Sequence, residues 1–408
     1  MKYILVIGDG MADNPVESLG GITPLQHAHK PYMDFLARKG ETCSVKTVPS
    51  GVVPGSDTAI LSIFGYDPLK YYTGRAPLEA AGCGVSLEPG NIALRCNMVA
   101  LEPGENFSER KIFSHSAGSI DAEAAVSIME KLISNPEFSR SASKVGMKIA
   151  VNGSFRHIAV LNSGDTSEFV TTPPHDILGS VIGSFLPRGG ETGEVLKEIM
   201  QVSSLMGGFP ENADRLAKGK LPASAIWFWA EGTVAKLPSF MDMFGKTSAV
   251  ISAVPLVWGI GSLAGADVIK VEGATGELDT NYEGKAASAV TALKDGYDFV
   301  AVHVEAPDEC THNGDLEGKL KAIEFLSERV IKNIDEGMKE AGLEYRMLVL
   351  SDHKTLTSTR GHDGDPVPYM IYDSSSFSGQ GRPYDELSCG EGRFLEAGTS
   401  LMSELFKK

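Results

Sequence analysis

Near-continuous apolar runs, each ending in a chemically reactive residue, dominate this chain. YILVIG runs into Asp9, FVAVHVEAP into Asp308 and His312, and MLVLS into Asp352 and His353. Runs without polar alternation mark strands buried on both faces, as in parallel sheets covered by helices. Open sheets of that kind bind ligands outside the carboxyl ends of their strands. Ser56, in PGSDTA, and His362, in RGHDGD, fall on loops of the same region. Three aspartates, three histidines and one serine gathered there suit two divalent cations (Mn²⁺, Zn²⁺ or Mg²⁺) flanking a nucleophilic hydroxyl. That is equipment for phosphoryl transfer.

The flanking text supports an α/β core. The pattern predicts strands at 2–7, 43–47, Phe299–Val304, 346–350 and 368–372, the last at an edge because of Pro368. It predicts helices at 30–39, from Ser56 onward, at 285–295 and, as one long element, at 316–342. The middle is richer in turn chemistry. SLEPGNIALRCNMVALEPGEN reads as two strands joined by Pro-Gly turns, VNGSFRHIAVLN as a further strand, and TTPPHD as a constrained loop. With 408 residues, 42% of them hydrophobic, two domains are expected: a core at 1–84 and 240–408, and an α+β lid inserted at 85–239.

A net charge of −16 with no basic stripe excludes a nucleic-acid partner. Small anionic substrates stay open, because cations in one cleft reverse the local sign. The five scattered cysteines form no CxxC, the pattern of a reduced cytoplasmic protein. Residues 247–266 carry no charge, but Pro255 and three glycines suit a buried strand–turn–helix better than a membrane span.

Ser56 admits two readings. It follows proline and glycine at a helix start, where a serine usually caps exposed amides; the same helix terminus also stabilises an alkoxide or a phosphoserine. Arg95, Arg156, His157 and His175 are candidates for gripping an anionic substrate, since guanidinium forks match carboxylate and phosphate oxygens. Arg188 reads as a solvated or locally paired side chain, and His303, inside a strand, as a packed core histidine. Gly8, Gly10, Gly20 and Gly21 lack dinucleotide-fingerprint spacing, and TGRAPLEAAGCG is no P-loop.

IGDGMAD, PGSDTAILSIFGYDP, YYTGRAPLEAAGCG, GATGELDTNYEGKA, VEAPDECTHNGDLEGK and the SDH strand end resemble the 2,3-bisphosphoglycerate-independent phosphoglycerate mutases of archaeal type, within the alkaline phosphatase superfamily. The resemblance spans nearly the whole chain. It implies an alkaline-phosphatase-like core, one metal on Asp9, Ser56, Asp352 and His353, and a second on Asp308, His312 and His362. It further implies that Ser56 takes the phosphoryl group of 3-phosphoglycerate and returns it as 2-phosphoglycerate, a glycolytic and gluconeogenic step. Two features depart from the family pattern: Ser114–Ser119 reads SHSAGS without the family's arginines, and Trp258 stands where a lysine is common. TTPPHD, WFWAEG and the SAG segment resemble a bacterial subgroup proposed to act as homoserine kinase, so another phosphotransferase or phosphatase on a small metabolite is the alternative.

Overall fold

The apolar runs form adjacent strands at the middle of one sheet. In the computed structural model, which describes residues 1–376 and 379–407, Lys2–Gly8 pairs in parallel with Phe299–Val304 on one side and with Tyr345–Leu350 on the other. Eight strands among the described residues make up this sheet, in the order Phe394–Leu395, Glu41–Val45, Val367–Asp373, Tyr345–Leu350, Lys2–Gly8, Phe299–Val304, Ser248–Ile251, Asp267–Ile269. Val367–Asp373 alone among them runs antiparallel to its neighbours. The register sets Gly8 opposite Val304 and Ile7 opposite Leu350, so three chain segments leave the sheet at one level. Asp9 continues the ladder by one bond, its amide donating to Val304 O at 2.9 Å.

In this sheet and its covering helices, two expectations need correcting. Val367–Asp373 is an interior strand, not an edge. Pro368 is tolerated because the pairing with Tyr345–Leu350 begins only at Tyr369, opposite Leu350, so no ladder bond toward that strand is lost at the proline. The long helix is three pieces, Leu316–Phe325, a π-helical turn Leu326–Ile331, and Lys332–Glu340. The π turn packs Ser327 Oγ onto the amide of Met33, at 3.1 Å. Residues 247–266 fold as the strand Ser248–Ile251 and the helix Pro255–Leu263, and no helix among the described residues is long and apolar enough to cross a membrane.

Contacts divide the chain into two units, Met1–Tyr72 with Lys236–Lys408, and Thr73–Ala235. The second unit is built on an antiparallel sheet whose central strand is Ile92–Leu101. That stretch, expected as two strands, is a single strand of ten buried residues with the Pro-Gly turns outside it. It pairs with Ala225–Thr233, Arg156–Leu161 and, at its end, Ile112–Ser114. Helices such as Ala122–Ser134 and Gly190–Ser203 bury Ile128, Leu132, Leu196 and Ile199 in its core. The helix Arg75–Gly82, in the stretch assigned to the core from sequence, belongs to this unit because Ala76 and Ala80 pack on Ala93 and Ile158.

Back in the first unit, a buried ion pair fixes the loop that follows the first strand. Lys319, wholly buried, donates to Asp13 Oδ2 at 2.9 Å and to the Thr355 carbonyl at 2.6 Å. The same carboxylate oxygen accepts from the Thr357 amide and hydroxyl. Removing one partner of such a pair strands a charge in a low-dielectric interior. Lys319→Met is therefore expected to lower the unfolding free energy by about 3–5 kcal/mol in urea titrations; an unchanged midpoint and slope would show the pair to be dispensable.

Candidate active site

Where the central strands end, seven candidate side chains of the first unit converge. Asp9 follows the strand Lys2–Gly8, Asp352 and His353 follow Tyr345–Leu350, and Asp308 and His312 share one face of the short helix Ala306–His312. His362 arrives on the hairpin strand Gly361–Asp363, which pairs with Lys354–Leu356. Their ligand atoms fall into two sets close enough to share a cation: Asp9, Asp352 and His353, and Asp308, His312 and His362. The sets adjoin, the rings of His353 and His362 having centroids 4.1 Å apart.

Ser56 belongs to this cluster. It is the first residue of the helix Ser56–Ile63, with Gly55 at the cap position. Its hydroxyl is therefore not spent on capping: Oγ lies 3.2 Å from Asp9 Oδ2 and 3.1 Å from His353 Nε2. Asp57, next along, is held by the hydroxyl of Tyr72 at 2.6 Å, which steadies the helix start.

The donor chemistry fits cations. His353 Nδ1 faces the Lys354 carbonyl at 3.3 Å and His312 Nδ1 the Arg360 carbonyl at 2.8 Å. Carbonyls only accept, so both Nδ1 atoms carry protons, which leaves the Nε2 lone pairs for the cluster. His353 Nε2 then points at Asp352 Oδ2, 3.3 Å away, an oxygen that is buried without a hydrogen-bond partner among the described residues. His312 Nε2 lies 3.1 Å from Asp308 Oδ2 and 2.9 Å from His362 Nε2. Lone pairs and carboxylate oxygens converging in this way repel one another unless positive charge sits between them.

Titration behaviour agrees. Burial, then the charges of Asp352, Asp308 and Glu305, push Asp9 well above the ordinary carboxylate range. Burial acts on Asp308 in the same direction, but hydrogen bonds from His312 and His362 outweigh it and hold the group well below that range. A proton on Nε2, hydrogen-bonded to Asp308, is the alternative to a cation at that nitrogen, and this bond raises His312 to about 9. The site attracts positive charge, whether proton or metal ion.

A cavity of about 820 Å³ lies elsewhere, at the amino ends of the strands, beside Tyr3, Glu41, Arg346 and Arg393. Its cations are engaged by neighbouring carboxylates, Arg346 by Asp373 and Arg393 by Glu404. It offers none of the chemistry gathered at the carboxyl ends.

The chain is similar to several known proteins. A family model for 2,3-bisphosphoglycerate-independent phosphoglycerate mutase matches residues 37–206. The mutase of that name from Methanosarcina acetivorans is 45% identical over 394 residues, 96% of either chain. The probable mutase of Geobacter sulfurreducens is 44% identical over the full length of both. The chain belongs to the 2,3-bisphosphoglycerate-independent phosphoglycerate mutase family. Among solved structures, a Pyrococcus horikoshii protein superimposes with a TM-score of 0.76 at 29% identity, covering 99% of this chain and 96% of its own. The cofactor-independent phosphoglycerate mutase of Thermoplasma acidophilum gives 0.59 at 25% identity, covering 99% of each.

The remaining candidates of this mutase-family chain lie in the second unit. Arg95 is buried, its guanidinium 4.2 Å from the centre of the Trp229 ring and its Nε 2.8 Å from Glu79. Burial raises Glu79, but Arg95, Arg75 and Arg156 together hold it low, so these guanidiniums share one neighbourhood. Arg156 is exposed over Phe155, and His175, also exposed, packs edge-on against Trp229 and His115. His157 is fully buried, with Nδ1 accepting from the Asn152 amide at 3.0 Å and burial lowering it to about 4. It is a packing residue on this geometry, since neighbouring strand residues alternate between faces and Arg156 takes the open one. Arg188 is locally bonded to the Ser184 carbonyl.

One residue at the cluster carried no sequence signal as a site residue. His303, read as core packing, places Nε2 2.9 Å from Asp9 Oδ2 and Nδ1 3.2 Å from Ser252 Oγ. Burial lowers it to about 3, so the ring stays neutral, with one of its two nitrogens carrying the proton. Trp258 gives its indole N–H to the Ser252 carbonyl, and the ammonium of Lys270 sits 4.4 Å from its ring centre.

If each set holds one cation, native protein equilibrated with Mn²⁺ is expected to retain two metal equivalents through gel filtration. Asp352→Asn and Asp308→Asn are each expected to retain one. Either variant keeping two equivalents at native affinity would contradict the assignment.

Proposed function

We propose that this chain interconverts 3-phosphoglycerate and 2-phosphoglycerate through a phosphoserine on Ser56. Family membership supports the reading, and one observation carries it: a buried serine oxygen at a helix start, within hydrogen-bond distance of both Asp9 and His353. Asp9, Ser56, Asp352 and His353 would hold one divalent cation, and Asp308, His312 and His362 the other. Mixed nitrogen and oxygen donors favour Mn²⁺ or Zn²⁺. Bound there, such cations supply Lewis-acid stabilisation of the charge that develops on the attacking, leaving and phosphoryl oxygens.

The chain's own groups do the rest. Asp9 accepts the Ser56 hydrogen bond and so fixes the direction of the nucleophile's lone pairs. The Ser56 Oγ–phosphorus bond forms as the bond from phosphorus to the 3-oxygen of the substrate breaks, and the serine proton ends on that oxygen. The 2-hydroxyl oxygen of glycerate then attacks phosphorus, its bond to phosphorus forming as the Ser56 Oγ–phosphorus bond breaks, and the 2-hydroxyl proton passes to Ser56 Oγ. The opening amides of Ser56–Ile63 face the phosphoryl charge. Arg156 and His175, with Arg95 behind them, supply the cationic and imidazole groups for the substrate's carboxylate and phosphate. We read the Thr73–Ala235 unit as the lid that keeps water from the phosphoserine, since hydrolysis there would turn a mutase into a phosphatase.

Turnover of 3-phosphoglycerate coupled to enolase tests this directly. Native protein with Mn²⁺ is expected to be active, chelation to abolish turnover, and Ser56→Ala to reduce it by roughly 10⁴-fold or more while the fold is kept. Consumption of ATP with homoserine, and no conversion of phosphoglycerate, would overturn the reading in favour of a kinase.

A further inference from the structure

Thr355 lies at the point where the hairpin meets both ligand sets. The antiparallel register places it opposite His362, so the two side chains share a face. It is wholly buried, and its amide donates to the Ala12 carbonyl at 3.1 Å. Its hydroxyl oxygen is 2.6 Å from Asp308 Oδ1 and 3.3 Å from His353 Nδ1.

A carboxylate only accepts, so the one hydroxyl proton of Thr355 goes to Asp308. The oxygen's lone pairs are left to face His353 Nδ1. That nitrogen must then be the N–H, in agreement with the Lys354 carbonyl on its other side. The backbone closes tightly around this arrangement. Gly10 has φ +57, and a Cβ there would come within 2.6 Å of Asp308 Oδ1 and also strike the Thr355 side chain. The Asp308 carboxylate thus has little room to turn.

We propose that Thr355 is a positioning residue that sets both cation sites through a single hydroxyl. Its proton fixes the rotation of Asp308 in one set. Its oxygen holds the His353 ring in the other, with the bare Nε2 directed at Ser56. Outer hydrogen bonds of this kind orient metal ligands and tune their affinity. The inference rests on the reading of the two sets as cation sites. A threonine kept only for strand packing would be replaceable by valine, which has nearly the same shape; one kept for its hydroxyl would not.

The test uses Co²⁺ alone as probe, on the full chain. Stepwise affinities come from calorimetric titration and ligand geometry from the visible absorption spectrum. Native protein and Thr355→Ser are expected to bind two Co²⁺ with matching spectra. Thr355→Val is expected to lose roughly 10–100-fold in affinity at one site or both and to show an altered spectrum, while metal-free thermal stability stays near native. Thr355→Ala takes its place if the valine variant does not fold. Affinities within threefold of native in the valine or alanine variant overturn the proposal, as does a serine variant impaired as deeply as the valine one. Native protein that binds no divalent cation refutes the cation-site reading and this inference together.

Discussion

The mutual repulsion of three buried carboxylates sets the terms for everything else at this site. Asp9, Asp308 and Asp352 are each at most 5% exposed, and they meet because three neighbouring strands end at one level. Like charges this close, out of water, are costly. The register of the parallel strands is fixed by apolar side chains buried on both faces, so the sheet enforces the meeting regardless of that cost. What remains is a concentrated negative field at the carboxyl ends of the central strands, and the surrounding groups are arranged around it.

That arrangement separates two tasks. Some groups stabilise the acidic cluster from outside without occupying it. His303 hydrogen-bonds Asp9 as a neutral imidazole, the Gly10 amide donates to Asp352 Oδ1 at 3.0 Å, and Lys319 is spent on Asp13 in the adjoining loop. Others turn Nε2 inward, as His353 and His312 do with Nδ1 against backbone carbonyls, so that a neutral ring offers its lone pair there. Ser56 sits where the two tasks meet, its oxygen shared between a carboxylate and an imidazole at the positive end of a helix. A net charge of −16 is no obstacle to an anionic substrate when the local sign is set by bound cations.

The core fold and the convergence of polar residues at its strand ends were legible in the sequence because apolar runs and the polar residues that end them are local signals. What escaped needed tertiary information. His303 lies inside a strand whose every residue is buried, so nothing local separates a packed imidazole from one that hydrogen-bonds Asp9. Thr355 is an ordinary strand residue until the hairpin register sets it opposite His362. Pro368 suggested an edge because proline lacks a donor, but only the stagger of two strand ends shows that the missing donor costs nothing there. Ile92–Leu101 was divided because Pro-Gly turns on both sides are stronger local cues than ten continuous buried residues. His157 differed from Arg156 only in which face of its strand was open to solvent, a matter settled by what packs behind the sheet.

Anomalous diffraction from crystals of the native protein grown with Mn²⁺ tests the central claim most directly. The account expects two peaks, one bounded by Asp9, Asp352, His353 and the Ser56 oxygen, the other by Asp308, His312 and His362. A single peak, or two peaks of which neither touches Ser56, would contradict it.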